Sequence, residues 1–465
     1  MAITLDGLRP LVEGQVAAPG DPGYDDARAV WNGMIDRRPA AILRPASVAD
    51  IAAGLRFARE HGLRLAVRGH GHNVAGTGTV DDGLVVDLGG LAGVEVDRAS
   101  GVVRAGPGAN LGAIDAATQA NGLAVPVGVV SGTGVAGLTL GGGVGWLTRA
   151  HGLTIDSLLA ADVLLADGRT VRASAESEAE LFWGLRGGGG NFGIVTGFEF
   201  QAHRLGPDVF AGALIHERPH WSAALRAFDA WTRDLPDDLT PVVSFLAPPP
   251  SWELGSETLM ITGFAWAGAD RADGERAIDP FRRACLPDIE LLDPTTWLAW
   301  QSSVDEVFPR GVRAYWKTAT FDAISDGAID TIVEWASRLF SRRTGFDIHA
   351  LGGAVDRLSD DATAFPNRKA RFLVNMYAVW DEATDDARGK AWSRGFHAAF
   401  QAHASAGQYV NFLALDAAAG DPVAAARATA LEAYGPEKFA RLVALKDRFD
   451  PDNVFRLNHN IPPSR

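Results

Sequence analysis

The stretch that decides the fold lies between residues 68 and 76 and reads Arg68-Gly69-His70-Gly71-His72-Asn73-Val74-Ala75-Gly76. It follows an apolar run, Leu63-Arg64-Leu65-Ala66-Val67, that is typical of a strand. A helix is predicted before that strand, with Ser47 as its N-cap and Gly62 at its end. A glycine turn placed directly after a strand lets backbone N–H groups approach an oxyanion, because no Cβ stands in the way.

Two further glycine clusters occur in the first half of the chain. They read Ser131-Gly132-Thr133-Gly134-Val135-Ala136-Gly137-Leu138-Thr139-Leu140-Gly141-Gly142-Gly143-Val144-Gly145-Trp146 and Arg186-Gly187-Gly188-Gly189-Gly190-Asn191-Phe192-Gly193-Ile194-Val195-Thr196. Each could be no more than a set of tight turns, but three together favour a site for a long, doubly charged ligand such as a dinucleotide. The Gly-x-Gly-x-x-Gly spacing of residues 132–137 is a weak Rossmann signal, because no acidic strand end follows it.

The second half of the chain, from about residue 205, is poorer in glycine and richer in tryptophan. Helices are predicted over 221–231 and 328–340, and strands over 242–246, 258–266 and 371–380. This pattern indicates a sheet with helices on one face. The tail is predicted to form a helix over 439–449, followed by an extended segment over 454–462.

Composition excludes several classes of protein. The 465 residues are 47% hydrophobic and 22% charged, and 43 Lys plus Arg against 57 Asp plus Glu give a net charge of −14, which argues against nucleic-acid and anionic-membrane partners. Cys285 is the only cysteine, which excludes a disulfide framework and a cysteine metal site, and we predict no metal. The first residues lack a basic and apolar signal, so we expect a soluble cytoplasmic protein.

Four motifs together resemble the flavoprotein family of vanillyl-alcohol oxidases and p-cresol methylhydroxylases. They are the helix, strand and turn of residues 51–76, the run 137–143, the run 181–193 and the closing Asp450-Pro451-Asp452-Asn453-Val454-Phe455-Arg456-Leu457-Asn458-His459-Asn460-Ile461. Within that family the chain is most similar to the berberine-bridge-enzyme-like branch. Its bacterial members of the 6-hydroxynicotine-oxidase type and of the flavin-N5-oxide type look most like it.

The resemblance implies an α+β fold with two parts. We expect an FAD-binding domain of the p-cresol methylhydroxylase type over residues 1–205, completed by a C-terminal return over 438–465. Residues 206–437 would form a substrate-binding domain with an antiparallel sheet covered by helices.

The resemblance also implies how FAD is held. His72 lies where the family bonds a histidine covalently to the flavin, and His70 stands in place of a family glycine. Val130 occupies the position of the family's second, cysteinyl link, so only one link, through His72, is expected. The remaining residues expected to bind FAD are Arg68, Gly69, Gly71, Asn73, Gly76, Ser131, Gly132, Thr133, Gly134, Gly137, Leu138, Gly142, Gly145, Ile194, Asn458 and Asn460.

Five residues are candidates for catalysis. The resemblance places Tyr409 and Asn411 on a strand with a Tyr-x-Asn motif, and it gives Tyr409 the role of the base. Lys317 lies on a second strand that approaches the flavin, and Asp347 stands where the family has a glutamate proposed as a base. An exposed strand carboxylate is the more ordinary interpretation of Asp347. Thr133, together with Leu138, lies where oxygenases of the family line an oxygen pocket.

The function implied is that of an oxidase that takes two electrons from a small alcohol, amine, sugar or polyketide-type substrate and passes them to O2. The alternative is a flavin-N5-oxide oxygenase of secondary metabolism. The expected partners are the substrate and O2, and the chain is expected to be a monomer or a homodimer.

Overall fold

The computed structural model describes residues 7–414 and 421–465. Within these ranges the strands are β1 (Gln15–Ala17), β2 (Ala41–Arg44), β3 (Leu65–Arg68), β4 (Leu84–Asp87), β5 (Val94–Asp97), β6 (Val102–Ala105), β7 (Leu123–Ala124), β8 (Leu158–Leu164), β9 (Thr170–Ser174), β10 (Ile194–Gln201), β11 (His203–Arg204), β12 (Asp208–His216), β13 (Leu239–Leu246), β14 (Leu259–Trp266), β15 (Ile289–Leu291), β16 (Thr295–Thr296), β17 (Arg313–Phe321), β18 (Gly345–Ala350) and β19 (Phe372–Trp380).

The helices of the same ranges pack between and around the sheets. They are α1 (Tyr24–Arg28), α2 (Val48–Glu60), α3 (Leu111–Gln119), α4 (Val135–Gly141), α5 (Thr148–His151), α6 (Ala179–Leu185), α7 (Trp221–Trp231), α8 (Arg271–Ala284), α9 (Trp297–Gln301), α10 (Asp326–Ala336), α11 (Ala354–Arg357), α12 (Asp386–Phe400) and α13 (Pro422–Phe449). Among the helices of this part of the chain, none combines the length and the apolar character that a membrane crossing requires.

The first sheet brings the turn after β3 to a sheet edge. Its order is β1-β2-β4-β3, with β2, β4 and β3 parallel and β1 antiparallel to β2. Helix α2 connects β2 to β3, and the Ser47 hydroxyl accepts a hydrogen bond from the N–H of Asp50, which confirms the predicted N-cap. The turn that begins at Arg68 therefore leaves a short, fully paired strand.

The second sheet carries the third glycine cluster. It is antiparallel, in the order β5-β6-β10-β8-β9, and β10 begins at Ile194, directly after that cluster. Helix α13 packs against the core of this sheet through side chains that include Tyr434 and Leu442. The C-terminal segment thus lies against the first half of the chain.

The third sheet fills the middle of the sequence. Its eight strands run in the order β15-β12-β14-β13-β18-β19-β17, with β16 paired to β12, and all of these pairs are antiparallel. Side chains from α7, α8, α10 and α12 share one hydrophobic core with the sheet. All nine residues of β19 are buried, because this strand is covered on both faces. The expected α+β architecture is confirmed.

Three element predictions are corrected by the structure. The Tyr-x-Asn segment is not a strand, because Val410–Phe412 forms a single 3-10 turn. Helix α13 begins at Pro422 rather than at residue 439, and it is kinked at Gly435, whose φ of 73° is not helical. Pro436 follows and lacks the N–H that a continuous helix would need. Helix α10 ends at Ala336, four residues before the predicted end.

Candidate active site

The three glycine clusters meet at one cavity, which is also lined by residues of the third sheet. The cavity has a volume of about 250 Å³. Glycine-rich backbone forms one end of it, and strands β17, β18 and β19 form the other. Of the residues expected to bind FAD, those that line it are Arg68, Gly69, His70, Gly71, His72, Asn73, Thr133, Gly134, Gly137, Leu138, Ile194 and Asn458.

The first turn is held rigidly by buried polar groups. The Arg68 guanidinium donates to Asp87 at 2.8 Å and to the Ala27 carbonyl at 2.5 Å, and the Arg68–Asp87 pair is almost completely buried. Arg68 Nη1 is also buried, and it has no hydrogen-bond partner among the residues described. The His70 ring contacts the Gly108 carbonyl at 2.8 Å. The Nη1 amino group of Arg68 is thus left for a ligand.

His72 lies in an environment that keeps its imidazole neutral. Its ring stacks on the indole of Trp31, with 5.8 Å between centroids and 22° between planes. Burial, together with the neighbouring His70 and Arg310, lowers the pKa of His72 to about 4. A neutral imidazole nitrogen is a nucleophile, which is the state that bond formation to an electron-poor carbon requires.

Some residues of the second cluster face the cavity, and others pack against neighbouring parts of the protein. Thr133, Gly134, Gly137 and Leu138 line the cavity, and a Cβ on Gly137 would meet nothing within 4 Å. Of the residues expected to bind FAD, Ser131, Gly132, Gly142 and Gly145 of this cluster and Gly76 of the first cluster do not line it. Gly76 packs against Ile35, Gly142 against Phe365, and Gly145 against the Val127 carbonyl. Ser131 is hydrogen-bonded to Asp305, and Gly132 lies beside the His72 ring.

The third cluster is locked to the C-terminal tail. Asn191 donates to the carbonyls of Gly188 and His459, and it accepts from the N–H of Ile461. Asn458 donates to the Gly190 carbonyl at 2.8 Å and lines the cavity, whereas Asn460 is half-buried outside it. These bonds bring the tail to the glycine-rich end of the cavity.

The sheet end of the cavity holds a half-buried carboxyl group. Asp347 lines the cavity and accepts a hydrogen bond from the Tyr377 hydroxyl at 3.2 Å. Burial raises the pKa of Asp347 to about 6, against hydrogen bonds from Ser244 and Tyr377 that lower it. The interpretation of Asp347 as an exposed surface carboxylate is therefore wrong. His349 and Asn375 also line this end, and burial lowers the pKa of His349 to about 4.

Tyr409 and Asn411 also line the cavity, but the surroundings of the phenol favour its neutral form. The Tyr409 hydroxyl accepts hydrogen bonds from the Gly143 N–H and from Asn411 Nδ2, each at 3.0 Å. These bonds stabilise a phenolate, yet the side chain is only 2% exposed, and burial raises the pKa of Tyr409 to about 12. The local structure thus works against the predicted role of Tyr409 as a base at neutral pH.

Lys317 does not line the cavity. Its side chain is half-buried on β17, its ammonium group lies 5.6 Å from the centre of the Tyr315 ring, and its charge helps to lower the pKa of His459. Of these two candidates for catalysis, the structure therefore places Tyr409 at the cavity wall and not Lys317.

Several lining residues were not predicted from the sequence. Trp31, Phe308, Trp316, Phe412, His349 and Asn375 come from separate segments. The sequence carries a signal only for Asn375, which alternates with Tyr377 on a strand-like run. The others lie at the cavity because of contacts between distant elements. An example is the hydrogen bond from Trp31 Nε1 to the Phe308 carbonyl.

The residues present fit FAD. A long cavity lined by glycine backbone suits a dinucleotide, because peptide N–H groups can approach its phosphates closely. The unpartnered Nη1 of Arg68 offers a further donor, and the neutral His72 ring supplies a point of attachment. Three independent features of the cavity therefore agree with this cofactor.

Comparisons with known proteins agree with this geometry. A family model described as "FAD binding domain" matches residues 39–174, and one described as "Berberine and berberine like" matches residues 408–462. The chain is 29% identical to (R)-6-hydroxynicotine oxidase of Paenarthrobacter nicotinovorans over 97% of both chains.

Solved structures give the same result. The crystal structure of 6-hydroxy-D-nicotine oxidase from Arthrobacter nicotinovorans is similar with a TM-score of 0.84 and 26% identity, and the match covers 97% of this chain and 98% of that one. Glucooligosaccharide oxidase of Acremonium strictum, described as carrying a 6-S-cysteinyl, 8α-N1-histidyl FAD, is similar with a TM-score of 0.84 and 25% identity over 97% of both chains.

Proposed function

The chain is a berberine-bridge-enzyme-like FAD-linked oxidoreductase of the vanillyl-alcohol oxidase and p-cresol methylhydroxylase family, and we propose that it is an oxidase that passes two electrons from a small organic substrate to O2. The observation that carries the proposal is the cavity itself. Its glycine-rich end suits FAD, and its other end presents a carboxyl group of raised pKa beside aromatic side chains. The relatives named above are oxidases of small molecules.

The cofactor would be held by the three glycine turns and the tail. We assign the contacts to residues 68–73, 133–138 and 189–194 and to Asn458, with a single covalent link through His72. The FAD-binding domain would then comprise residues 1–205 with the return 438–465, and residues 206–437 would form the substrate domain. The packing of α13 on the core of the second sheet supports a domain built from both ends of the chain.

FAD supplies, when bound, an acceptor for two electrons that O2 can reoxidise. The chain's own part in the reaction is to position the substrate and to accept its proton. We assign the proton to Asp347, because its pKa of about 6 leaves it ionised at neutral pH and still basic enough to accept a proton. Tyr377 holds the carboxylate through a hydrogen bond to Oδ1.

A test of the oxidase assignment needs no knowledge of the substrate. The purified holoenzyme is photoreduced without oxygen and then mixed with buffer that contains O2. We expect rapid return of the oxidised flavin spectrum and about one H2O2 per flavin. A reduced enzyme that persists in air contradicts the proposal, whereas an oxidised enzyme with an altered near-UV band would favour the N5-oxide alternative, for which Thr133 and Leu138 line the cavity.

A further inference from the structure

The sheet end of the cavity collects polar groups that lack hydrogen-bond partners. Asp347 and Asn375 are directly opposed on β18 and β19, and His349 lies on the same face of β18 two residues further on. Asn375 is 3% exposed and His349 is 4% exposed. Asn375 Oδ1 and both ring nitrogens of His349 have no hydrogen-bond partner within the described part of the chain. Buried polar groups are ordinarily paired, so this cluster indicates a ligand that donates hydrogen bonds to Asn375 Oδ1 and to the unprotonated ring nitrogen of His349, and that accepts one from the ring N–H of His349.

The Asp347 carboxylate has no counter-ion among these residues. The carboxylate is hydrogen-bonded by the hydroxyls of Ser244 and Tyr377. No basic side chain contributes to the pKa of Asp347 or of His349. The basic side chains of Arg68, which lines the cavity, and of Arg310 and Lys317, which do not, interact with other groups. Arg68 pairs with Asp87, Arg310 acts on His72, and Lys317 acts on His459. A half-buried carboxylate that protein groups have partly desolvated is less stable without a cation, and a cationic ligand in the cavity would supply one.

Aromatic rings surround the same end. The Trp316 ring lies 5.6 Å from that of Trp31 and 5.8 Å from those of Phe308 and Phe412, and all four residues line the cavity. Aromatic faces carry negative electrostatic potential and attract ammonium groups, most strongly where water is excluded. The walls would also pack against a flat, apolar frame. The whole chain has a net charge of −14, which further favours cations over anions.

We propose that the substrate is a small amine on an aromatic or other flat apolar frame, bound as its cation, with N–H groups directed at Asp347, Asn375 and His349. This inference rests on the proposed function, because it concerns the substrate of the same site. A carboxylated substrate would meet an uncompensated carboxylate and no cation. An oligosaccharide would place many hydroxyl groups against the four aromatic walls.

The test compares probes of the same shape and different charge. Binding of benzylamine and benzyl alcohol, and of 2-phenylethylamine and 2-phenylethanol, is measured on the holoenzyme at pH 8 without oxygen, through the change in the visible flavin spectrum. We expect the amine of at least one pair to bind at least about 30-fold more tightly than its alcohol, because the amine forms a desolvated charge pair and the alcohol does not. Equal binding within both pairs, or no binding of either amine, would overturn the inference.

Variants then assign the effect to the cluster. Asp347→Asn should abolish the preference for the amine, whereas Glu257→Gln, which changes an exposed carboxylate, should preserve it. Asn375→Leu should weaken amine binding and at the same time raise the Tm by about 1–2 °C, because it removes a buried acceptor that lacks a partner. An Asn375→Leu protein that binds the amine normally, or an Asp347→Asn protein that keeps the preference, contradicts the assignment.

The outcome is separable from that of the oxidase test. If photoreduced enzyme forms H2O2 in air but the alcohols bind better than the amines, the proposed function stands and the substrate class is wrong. If the enzyme binds amines and is not reoxidised by O2, the substrate class stands and the oxidase assignment is wrong.

Discussion

At the scale of single residues, the chemistry of the site depends on how burial sets protonation. His72 is neutral because its ring is buried close to Arg310. Asp347 is a weak acid because the protein desolvates its carboxyl group and supplies no cation beside it. The same cause disfavours the phenolate of Tyr409, despite two N–H donors at its oxygen. Desolvation therefore selects the carboxylate rather than the phenol as the group that accepts a proton.

Replacing Asp347 should separate activity from stability. Asp347→Asn removes the proton acceptor, so anaerobic flavin reduction by an amine substrate should slow by ~10²- to 10⁴-fold. In the wild type, the rate of flavin reduction should rise with pH through about 6 and then level off, because the ionised carboxylate of Asp347 is the active form. Stopped-flow absorbance at several pH values measures both effects. A pH-independent wild-type rate, or an unchanged rate in the variant, contradicts the role.

The same substitution, Asp347→Asn, should lower activity but raise the thermal stability of the protein. A rise in the pKa of Asp347 from its ordinary 3.8 to about 6 means that the folded state prefers the protonated form, so folding stability is lost as pH rises between these values. The shift corresponds to about 3 kcal/mol, from 1.36 kcal/mol per pKa unit. Asp347→Asn should therefore gain Tm over the wild type at pH 8 and little at pH 4, as measured by thermal unfolding.

Trp31 should position the His72 ring for attachment of the flavin. Trp31→Leu keeps a buried apolar group and removes the stack, so covalent incorporation of FAD should slow by roughly 3- to 10-fold, from the ~0.5–1.5 kcal/mol of an aromatic pair. Trp31→Phe should retain most of the rate. The covalent fraction is followed by flavin fluorescence in denaturing gels. If the leucine variant incorporates FAD as fast as the phenylalanine variant, the stack has no such role.

At the scale of elements, local sequence signals identified most strands and helices but not their partners. Helix α2 has its predicted cap, and α7 has its predicted bounds, because both are encoded by neighbouring residues. The strand predicted at Tyr409 is wrong, because a Tyr-x-Asn spacing fits either an extended run or a turn. The interpretation of Asp347 as a surface residue is wrong, because the alternation of side chains along β18 does not reveal what covers each face of the sheet.

The end of helix α13 should be the structural anchor of the tail. Lys446 is fully buried, and its ammonium group donates to Asp450 at 2.6 Å and to the carbonyls of Asn191 and Phe455 at 2.9 Å. Lys446→Met leaves a buried carboxylate without its cation and should cost about 3–5 kcal/mol in the free energy of unfolding. Chemical denaturation measures the loss.

Arg448 provides a matched control in the same helix. It forms an ion pair with Glu178 that is exposed to solvent, so Arg448→Met should cost less than about 1 kcal/mol. If the two substitutions destabilise the protein equally, the buried network is not the anchor.

At the scale of the whole molecule, the site exists because distant segments meet. Asn32 illustrates this, since its buried side chain donates to the carbonyls of Val74 and Ala314 and thereby joins the first glycine turn to β17. Neither a motif nor a periodicity in the sequence indicates such a bridge. The glycine turns and His72 were predictable from short stretches, whereas Trp31, His349 and the aromatic walls required the tertiary fold.

Removing the tail should abolish the site. Phe455 and Ile461 are buried in two different cores, and Asn191 in the third glycine cluster bonds to the tail. A chain that ends at Asp450 should therefore fail to retain FAD, which is measured by flavin absorbance after gel filtration. A truncated protein that stays folded and yellow would show that the glycine turns hold the cofactor without the tail.

The most direct test of the account is the intact mass of the protein after acid precipitation. We predict that the wild-type chain keeps the added mass of one FAD and that His72→Ala, purified in the same way, has the mass of the bare chain. A wild-type protein that loses its flavin in acid, or a His72→Ala protein that still carries it, would contradict the assignment of His72 as the point of attachment.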